Sequence, residues 1–254
     1  RVATGDGGGG LGRRSIMKVF ITRNIPDVGP EKLRGTGWHV DQWASDDVIP
    51  RATLLERVAG CDAVLSLLTE KVDAEFLNAA GPNLKVVANL AVGFDNFDVP
   101  AMTAAKVIAT NTPDVLTETT ADFGFALLMA TARRLTESEH FLRRGEWTQW
   151  RYDMFAGAEV HGSTLGIIGM GRIGQAIAKR GAHGFGMKVI YHNRSRLPQA
   201  QEAECKAHYV SKEELLRTAD HVMLVVPYSA AAHHTIGAAE LNMMKPTATL
   251  TNIA

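Results

Sequence analysis

The chain has 254 residues, 46% hydrophobic and 21% charged, which is ordinary for a soluble globular protein and long enough for two domains. Its 27 Lys and Arg balance its 27 Asp and Glu, so no basic footprint for nucleic acid is present, and its apolar stretches fall well short of the roughly 20 residues that span a bilayer. Two cysteines, Cys61 and Cys205, stand far apart in unrelated contexts and read as free thiols of a cytoplasmic protein.

Residues 1–16, RVATGDGGGGLGRRSI, carry a Gly run, scattered Arg and no apolar period. They lack the apolar core of a signal peptide, and Met17 leads directly into a strand, so they read as an appended leader or a disordered extension. From Met17 onward, short apolar runs at 18–22, 38–43, 62–68, 84–90 and 106–111 alternate with the helical stretches PEKLRG, RATLLERVA, DAEFLNAA and DVPAMTAA. That rhythm marks βαβ units and a parallel sheet covered on both faces. Five such strands make one doubly wound domain.

From Thr117 to Arg143 the pattern predicts one long helix, with Phe123, Leu127, Leu128, Ala132 and Leu135 at helical spacing and Gly145 as its stop. It reads as a connector between two sheet-forming regions or as a packing surface for a partner subunit. Beyond it come a strand in TLGIIG, a helix in RIGQAIAKRGAH and a strand in MKVIYH. A short strand near 207–210, a helix at 211–217, a strand at 221–226, a helix near 238–244 and a strand at 248–253 follow. The last, TATLTNI, is β-branched and apolar and has the character of a strand from the middle of a sheet.

Gly169-Met170-Gly171-Arg172-Ile173-Gly174 fits G-x-G-x-x-G. The hexapeptide follows a predicted strand and opens a predicted helix, which is the context that gives it meaning. Gly169 allows the tight turn, Gly171 lets the backbone approach a pyrophosphate, and Gly174 lets the helix pack on the strand. The helix N-terminus then offers N–H groups and partial positive charge to the diphosphate. An NAD enzyme carries Asp or Glu about 20 residues further on, to hold the ribose 2′-OH. Here Asn193 stands at that place, followed by Arg194, Ser195 and Arg196. Losing a carboxylate and gaining two guanidiniums favours a 2′-phosphate, so NADP(H) is expected ahead of NAD(H). The competing reading is two solvated loop charges and an enzyme that takes either cofactor.

NLAVGFDNFD, NTPDVLTETTADFGFALLMATARR and GIIGMGRIGQAIAKR resemble the D-isomer-specific 2-hydroxyacid dehydrogenases. PDVLTETTAD, GEWTQW and YHNRSR are most similar to the glyoxylate/hydroxypyruvate reductase branch, and the likeness covers Met17 to Ala254. The resemblance implies an α/β protein of two doubly wound parallel-sheet domains: a flavodoxin-like substrate domain and a Rossmann dinucleotide-binding domain, the second incomplete. The expected division is a leader at 1–16, a substrate domain at 17–116, a connecting and dimerisation helix at 117–145, and a truncated cofactor domain at 146–254. The implied activity is hydride transfer from NADPH to the carbonyl of a small 2-keto acid by a homodimer. Alternatives are a catalytically silent NADP-binding module and a relative acting on a bulkier or phosphorylated 2-keto acid. The neighbours Phe94, Asp95, Asn96 and Asp98 argue against a phosphorylated one.

The resemblance also assigns roles. Backbone N–H groups of Val92 and Gly93 would hold the substrate carboxylate. Thr117 would face the nicotinamide end of the cofactor, Val226 and Pro227 would wall the adenosine side, and Asn252 and Ile253 would approach the nicotinamide ring. Trp150 would lie at a dimer interface, either reaching the neighbour's substrate pocket or simply packing there. The family's catalytic Arg, Glu and His have no counterpart up to Ala254. The Arg would come directly after a strand ending like TNIA, so all three are expected beyond Ala254, and residues up to that point are expected to bind cofactor without turnover. Either the sequence at hand ends short of the protein's end, or the chain was cut, or a second polypeptide completes it. No histidine replaces the triad. The adjacent His233 and His234 have poor metal spacing, His192 sits beside the expected 2′-phosphate, and no metal site is expected.

Overall fold

The computed structural model describes residues 16–229 and 231–254. Apart from Ile16, the expected leader lies outside the described residues. The chain divides into two compact units, the first ending at Pro113 and the second beginning at Asp114.

The first unit contains β1 (Lys18–Ile21), α1 (Val28–Arg34), β2 (His39–Gln42), α2 (Arg51–Val58), β3 (Ala63–Ser66), α3 (Ala74–Ala80), β4 (Val86–Asn89), α4 (Val99–Ala104) and β5 (Ile108–Thr110). The strands form one parallel sheet in the order β2-β1-β3-β4-β5, the flavodoxin-like order. Its core is built from Phe20, Leu54, Val58, Val64, Phe76, Val87 and Met102. Two helix starts are set by carboxylates: Asp73 accepts the Phe76 N–H and Asp98 the Ala101 N–H, each meeting a donor that a helix leaves without a partner.

The second unit opens with α5 (Thr117–Ala132) and α6 (Leu135–Arg143). It continues with β6 (Thr164–Ile168), α7 (Arg172–Lys179), β7 (Lys188–His192), α8 (Gln199–Cys205), β8 (Ala207–Tyr209), α9 (Lys212–Thr218), β9 (His221–Leu224), α10 (Ala238–Met243) and β10 (Thr249–Asn252). All five strands run parallel in the order β10-β9-β6-β7-β8. Counted within the unit this is 3-2-1-4-5, the dinucleotide-fold order, with its switch point between β6 and β9. In such sheets ligands bind beyond the carboxyl ends of the strands at that point.

The expected single helix over 117–143 is two helices. Arg134 has φ +53° and ψ 37°, left-handed backbone that cannot continue a right-handed helix. The segment at 157–158 captures the end of α5: the Ala158 N–H donates to the Ala132 carbonyl at 2.8 Å. The buried face also differs from the expected one. Ala121, Gly124, Phe125, Leu128 and Ala132 face the core, whereas Phe123 is 60% exposed. Gly145 stands just past α6 with φ +71°, the stop expected of it. α8, whose QAQEAEC sequence shows no apolar period, separates β7 from the short β8. Among the described residues β10 pairs only with β9.

The central strand β6 fits tightly against α9. A Cβ at Gly166 would lie 2.7 Å from Leu215 Cδ2 and 2.8 Å from the Ala219 methyl. Gly166→Ala should therefore overpack this layer and cost about 1–3 kcal/mol of stability, read from the urea midpoint; an unchanged midpoint would show that α9 moves aside freely.

Candidate functional site

The Gly-rich turn joins β6 to α7 at the switch point. Gly169 has φ +102°, and a Cβ there would overlap the Val225 carbonyl oxygen. A Cβ on Gly174 would overlap the carbonyl oxygen of Gly169. At Gly171 a Cβ would meet nothing within 4 Å, so the space in front of this backbone is open. Gly171 caps α7 and offers no side-chain acceptor, which leaves the N–H groups of Arg172, Ile173 and Gly174 directed out of the first turn. A diphosphate fits that cradle, and any side chain at position 171 would fill it. Met170 is buried, and its N–H donates to Asn193 Oδ1 at 2.6 Å.

Asn193 ties the Gly-rich turn to the end of β7. Its side chain holds the Met170 N–H, and its carbonyl accepts the Tyr209 hydroxyl at 3.2 Å. Arg194, Ser195 and Arg196 follow as an exposed strip. Among the described residues Arg194 and Ser195 make no side-chain hydrogen bond or ion pair. Arg196 instead forms a two-pronged pair with Glu202 on α8, Nε to Oε1 at 2.9 Å and Nη2 to Oε2 at 2.8 Å. Glu202 is only 7% exposed and also accepts the Tyr191 hydroxyl at 2.7 Å. Arg196, and then Tyr191, hold the Glu202 carboxyl down to about 2. Burial, and then the bond to Glu202, push the Tyr191 phenol up to about 12.

Val226, half-buried, and Pro227, exposed, follow β9, and the Val226 methyl Cγ1 lies against Gly169. Asn252 is exposed at the end of β10 with its Oδ1 accepting the Ala254 N–H, and Ile253 packs against Gly124 of α5. Thr117 is half-buried at the start of α5. Arg172 pairs with Asp114, Nε to Oδ1 at 2.7 Å, and Asp114 itself has φ +70°.

In the first unit, Val92 and Gly93 lie in the loop after β4. Their carbonyls are occupied, Val92 by the Asn111 amide at 2.8 Å and Gly93 by the Asn89 amide at 2.9 Å. Their N–H groups donate to no group among the described residues, so this loop has backbone donors to spare for an anion. Behind it is a buried polar network: Asn89 bonds Ser66 and Asn96, and Asn96 donates to the Leu67 and Glu70 carbonyls. Glu70, itself buried, takes Thr22, Thr69, Arg23 and the Leu67 N–H.

Trp150 is 77% exposed. Leu135, Phe141, Leu142, Trp147, Met154 and Phe155 line an apolar depression of about 650 Å³. His221 is a buried structural residue, bonded to Thr249 Oγ1 at 2.8 Å and the Glu159 carbonyl at 3.0 Å. His192 bonds the Val210 carbonyl at 3.0 Å, and His233 stacks on His234. Among the described residues no three His, Cys, Asp or Glu are grouped to hold a metal ion, and no helix is long and apolar enough to cross a membrane. The sequence pattern did not single out Glu202, Tyr191, Asp114 or Asn89, and it marked Asn96 only as a neighbour of the 92–93 loop. Of these, Asn89 left a signal, as an amide inside the apolar run LKVVANL.

A family model described as "D-isomer specific 2-hydroxyacid dehydrogenase, NAD binding domain" matches residues 125–254. Glyoxylate reductase of Thermococcus gammatolerans is 51% identical over 241 residues, 93% of this chain and 71% of that protein. The glyoxylate reductase of Thermococcus kodakarensis is 49% identical over the same shares of the two chains. Among solved structures, a Thermus thermophilus protein superposes with TM-score 0.85 at 39% identity, over 94% of this chain and 74% of that one. A glyoxylate reductase from Paecilomyes thermophila gives TM-score 0.82 at 29% identity over the same shares.

Two glycine variants separate the cradle from the fold. Gly171→Val places its side chain in open space, so the protein should fold with an unchanged melting temperature and lose dinucleotide binding. Gly174→Ala should instead destabilise the unit by about 1–3 kcal/mol, because its methyl meets the Gly169 carbonyl. Retained binding in Gly171→Val, measured by titrating NADPH, would remove this turn from the cofactor site.

Proposed function

The chain belongs to the D-isomer-specific 2-hydroxyacid dehydrogenases, and we propose that it serves the NADPH-dependent reduction of a small 2-keto acid, glyoxylate or hydroxypyruvate, to the D-2-hydroxy acid. The observation that carries the cofactor preference is the exposed strip after β7. It holds Arg194, Ser195 and Arg196 where a carboxylate for the ribose hydroxyls would stand, and Asn193 fills that place by bonding Met170. The name of both Thermococcus relatives, glyoxylate reductase, supports the substrate class.

When bound, the cofactor supplies the hydride. In this reading Gly169 to Gly174 hold its diphosphate, Arg194, Ser195 and Arg196 its 2′-phosphate, and Val226 and Pro227 its adenosine side. Thr117, Asn252 and Ile253 border the nicotinamide end. The unengaged N–H groups of Val92 and Gly93 hold the substrate carboxylate, and the polar network behind them fixes the loop. Asp95 and Asp98 near that loop suit a small, unphosphorylated acid. The Arg, Glu and His that the resemblance assigns to carboxylate binding and proton transfer have no counterpart in residues 17–254, so what these residues do is bind and orient. Residues 17–116 then act as the substrate domain and 146–254 as the cofactor domain, with 117–145 connecting them. The apolar depression on α6 and the exposed Trp147, Trp150 and Leu142 suit a second copy of the chain. Buried free thiols at Cys61 and Cys205 suit the reducing cytoplasm.

Fluorescence titration tests the cofactor reading. NADPH should bind at least about tenfold tighter than NADH, the worth of one or two charge-assisted hydrogen bonds. Arg194→Ala should weaken NADPH by about tenfold and leave NADH within about twofold; equal loss for both cofactors would sink the 2′-phosphate assignment. Light scattering should give twice the chain mass, and Leu142→Glu with Trp150→Glu should halve it; a monomeric wild type would overturn the dimer.

A further inference from the structure

We infer that Glu202 is a specificity-determining positioning residue, which sets the geometry in which the 194–197 loop meets the 2′-phosphate. The inference rests on the NADP(H) reading above and extends it to a residue outside the loop itself.

The loop is anchored at both ends. At its start, Asn193 is held by the Met170 N–H and the Tyr209 hydroxyl. At its end, the Leu197 N–H donates to the Tyr191 hydroxyl at 2.8 Å, and that hydroxyl donates to Glu202. Tyr191 is fully buried in β7, so this anchor does not move with the surface. Between the anchors, Glu202 grips the Arg196 side chain by its Nε–Nη2 edge. One buried carboxylate thus fixes the loop backbone through Tyr191 and the loop's cation through a direct fork.

What remains of Arg196 is chemically specific. Its Nη1 has no partner among the described residues, and the side chain is 66% exposed. A guanidinium is planar, so a fork on the Nε–Nη2 edge leaves the Nη1–Nη2 edge at a fixed angle. Two parallel N–H donors on that edge match two phosphate oxygens. A flexible Arg would lose rotamer freedom on binding a phosphate, whereas Arg196 is already held. The competing account is that Glu202 simply sequesters Arg196 and leaves Arg194 to meet the phosphate alone. That account makes the opposite prediction, because releasing Arg196 would then strengthen phosphate binding.

The test is a double-mutant cycle on the whole chain, using Glu202→Gln, Arg196→Ala and the double variant. NADPH, NADH, 2′,5′-ADP and 5′-AMP serve as titrants. Positioning predicts that Glu202→Gln and Arg196→Ala each weaken NADPH and 2′,5′-ADP by about tenfold, with NADH and 5′-AMP within about twofold. The double variant should lose no more than either single one, since both remove the same held guanidinium. A merely structural role would weaken all four titrants alike, and that result overturns the inference. So does tighter NADPH binding in Glu202→Gln, or an unchanged Arg196→Ala. Should Glu202→Gln fail to fold, Arg196→Ala alone, at an exposed side chain, still decides between holding and sequestration. A wild type without preference for NADPH would bring down the NADP(H) reading itself, and this inference with it.

Discussion

The second unit is organised around the closeness of its backbone at Gly169. Here the chain turns with positive φ between the carbonyl of Val225 and the first turn of α7. The turn brings the start of α7 up to the ends of β6 and β9, where the strand order reverses. Space excluded at Gly169 and Gly174 reappears as open space at Gly171. A side chain at either of the first two would push α7 away, and the first-turn N–H groups would no longer converge. The placement of α7 and the open space in front of Gly171 therefore rest on one steric condition.

A second device recurs in both units. Each holds a buried carboxylate, Glu70 just after β3 in one and Glu202 on α8 in the other. Each is satisfied by an Arg and by hydroxyl groups, Arg23, Thr22 and Thr69 for Glu70, Arg196 and Tyr191 for Glu202. Burying a carboxylate is costly unless its oxygens are bonded, and removing one partner leaves an uncompensated charge. Such a group gives little net stability but permits few geometries. Glu70 borders the network behind the Val92–Gly93 loop, and Glu202 grips the exposed Arg196.

The break between α5 and α6 shows the same economy in the backbone. Apolar spacing continues across Arg133 and Arg134, so nothing in the local pattern stops the helix. The stop comes from residues far along the chain: Ala158 takes the Ala132 carbonyl, and the Arg134 side chain lies over Phe155 while pairing with Glu137. α5 thereby joins the core of the second unit through Leu128 and Phe125, while α6 keeps Leu135 and Leu142 on the surface.

Much of this protein was legible in its sequence. Alternation of apolar runs with helical segments marked two parallel sheets, because strands buried on both faces read as continuous apolar runs. Strand, G-x-G-x-x-G and helix in succession marked the cradle, since each glycine answers a local steric demand. Asn193 to Arg196 could be read as a strip of changed charge by position alone. The tertiary structure alone decided the break after Ala132, the buried face of α5 and the presence of α8. It alone brought Glu202 to Arg196 and Tyr191, Asp114 to Arg172, and Asn111 to the Val92 carbonyl. Local periodicity reports which face of an element is apolar. It carries no information about which distant polar group arrives to pair a charge or end a helix, because that is settled by how the layers pack.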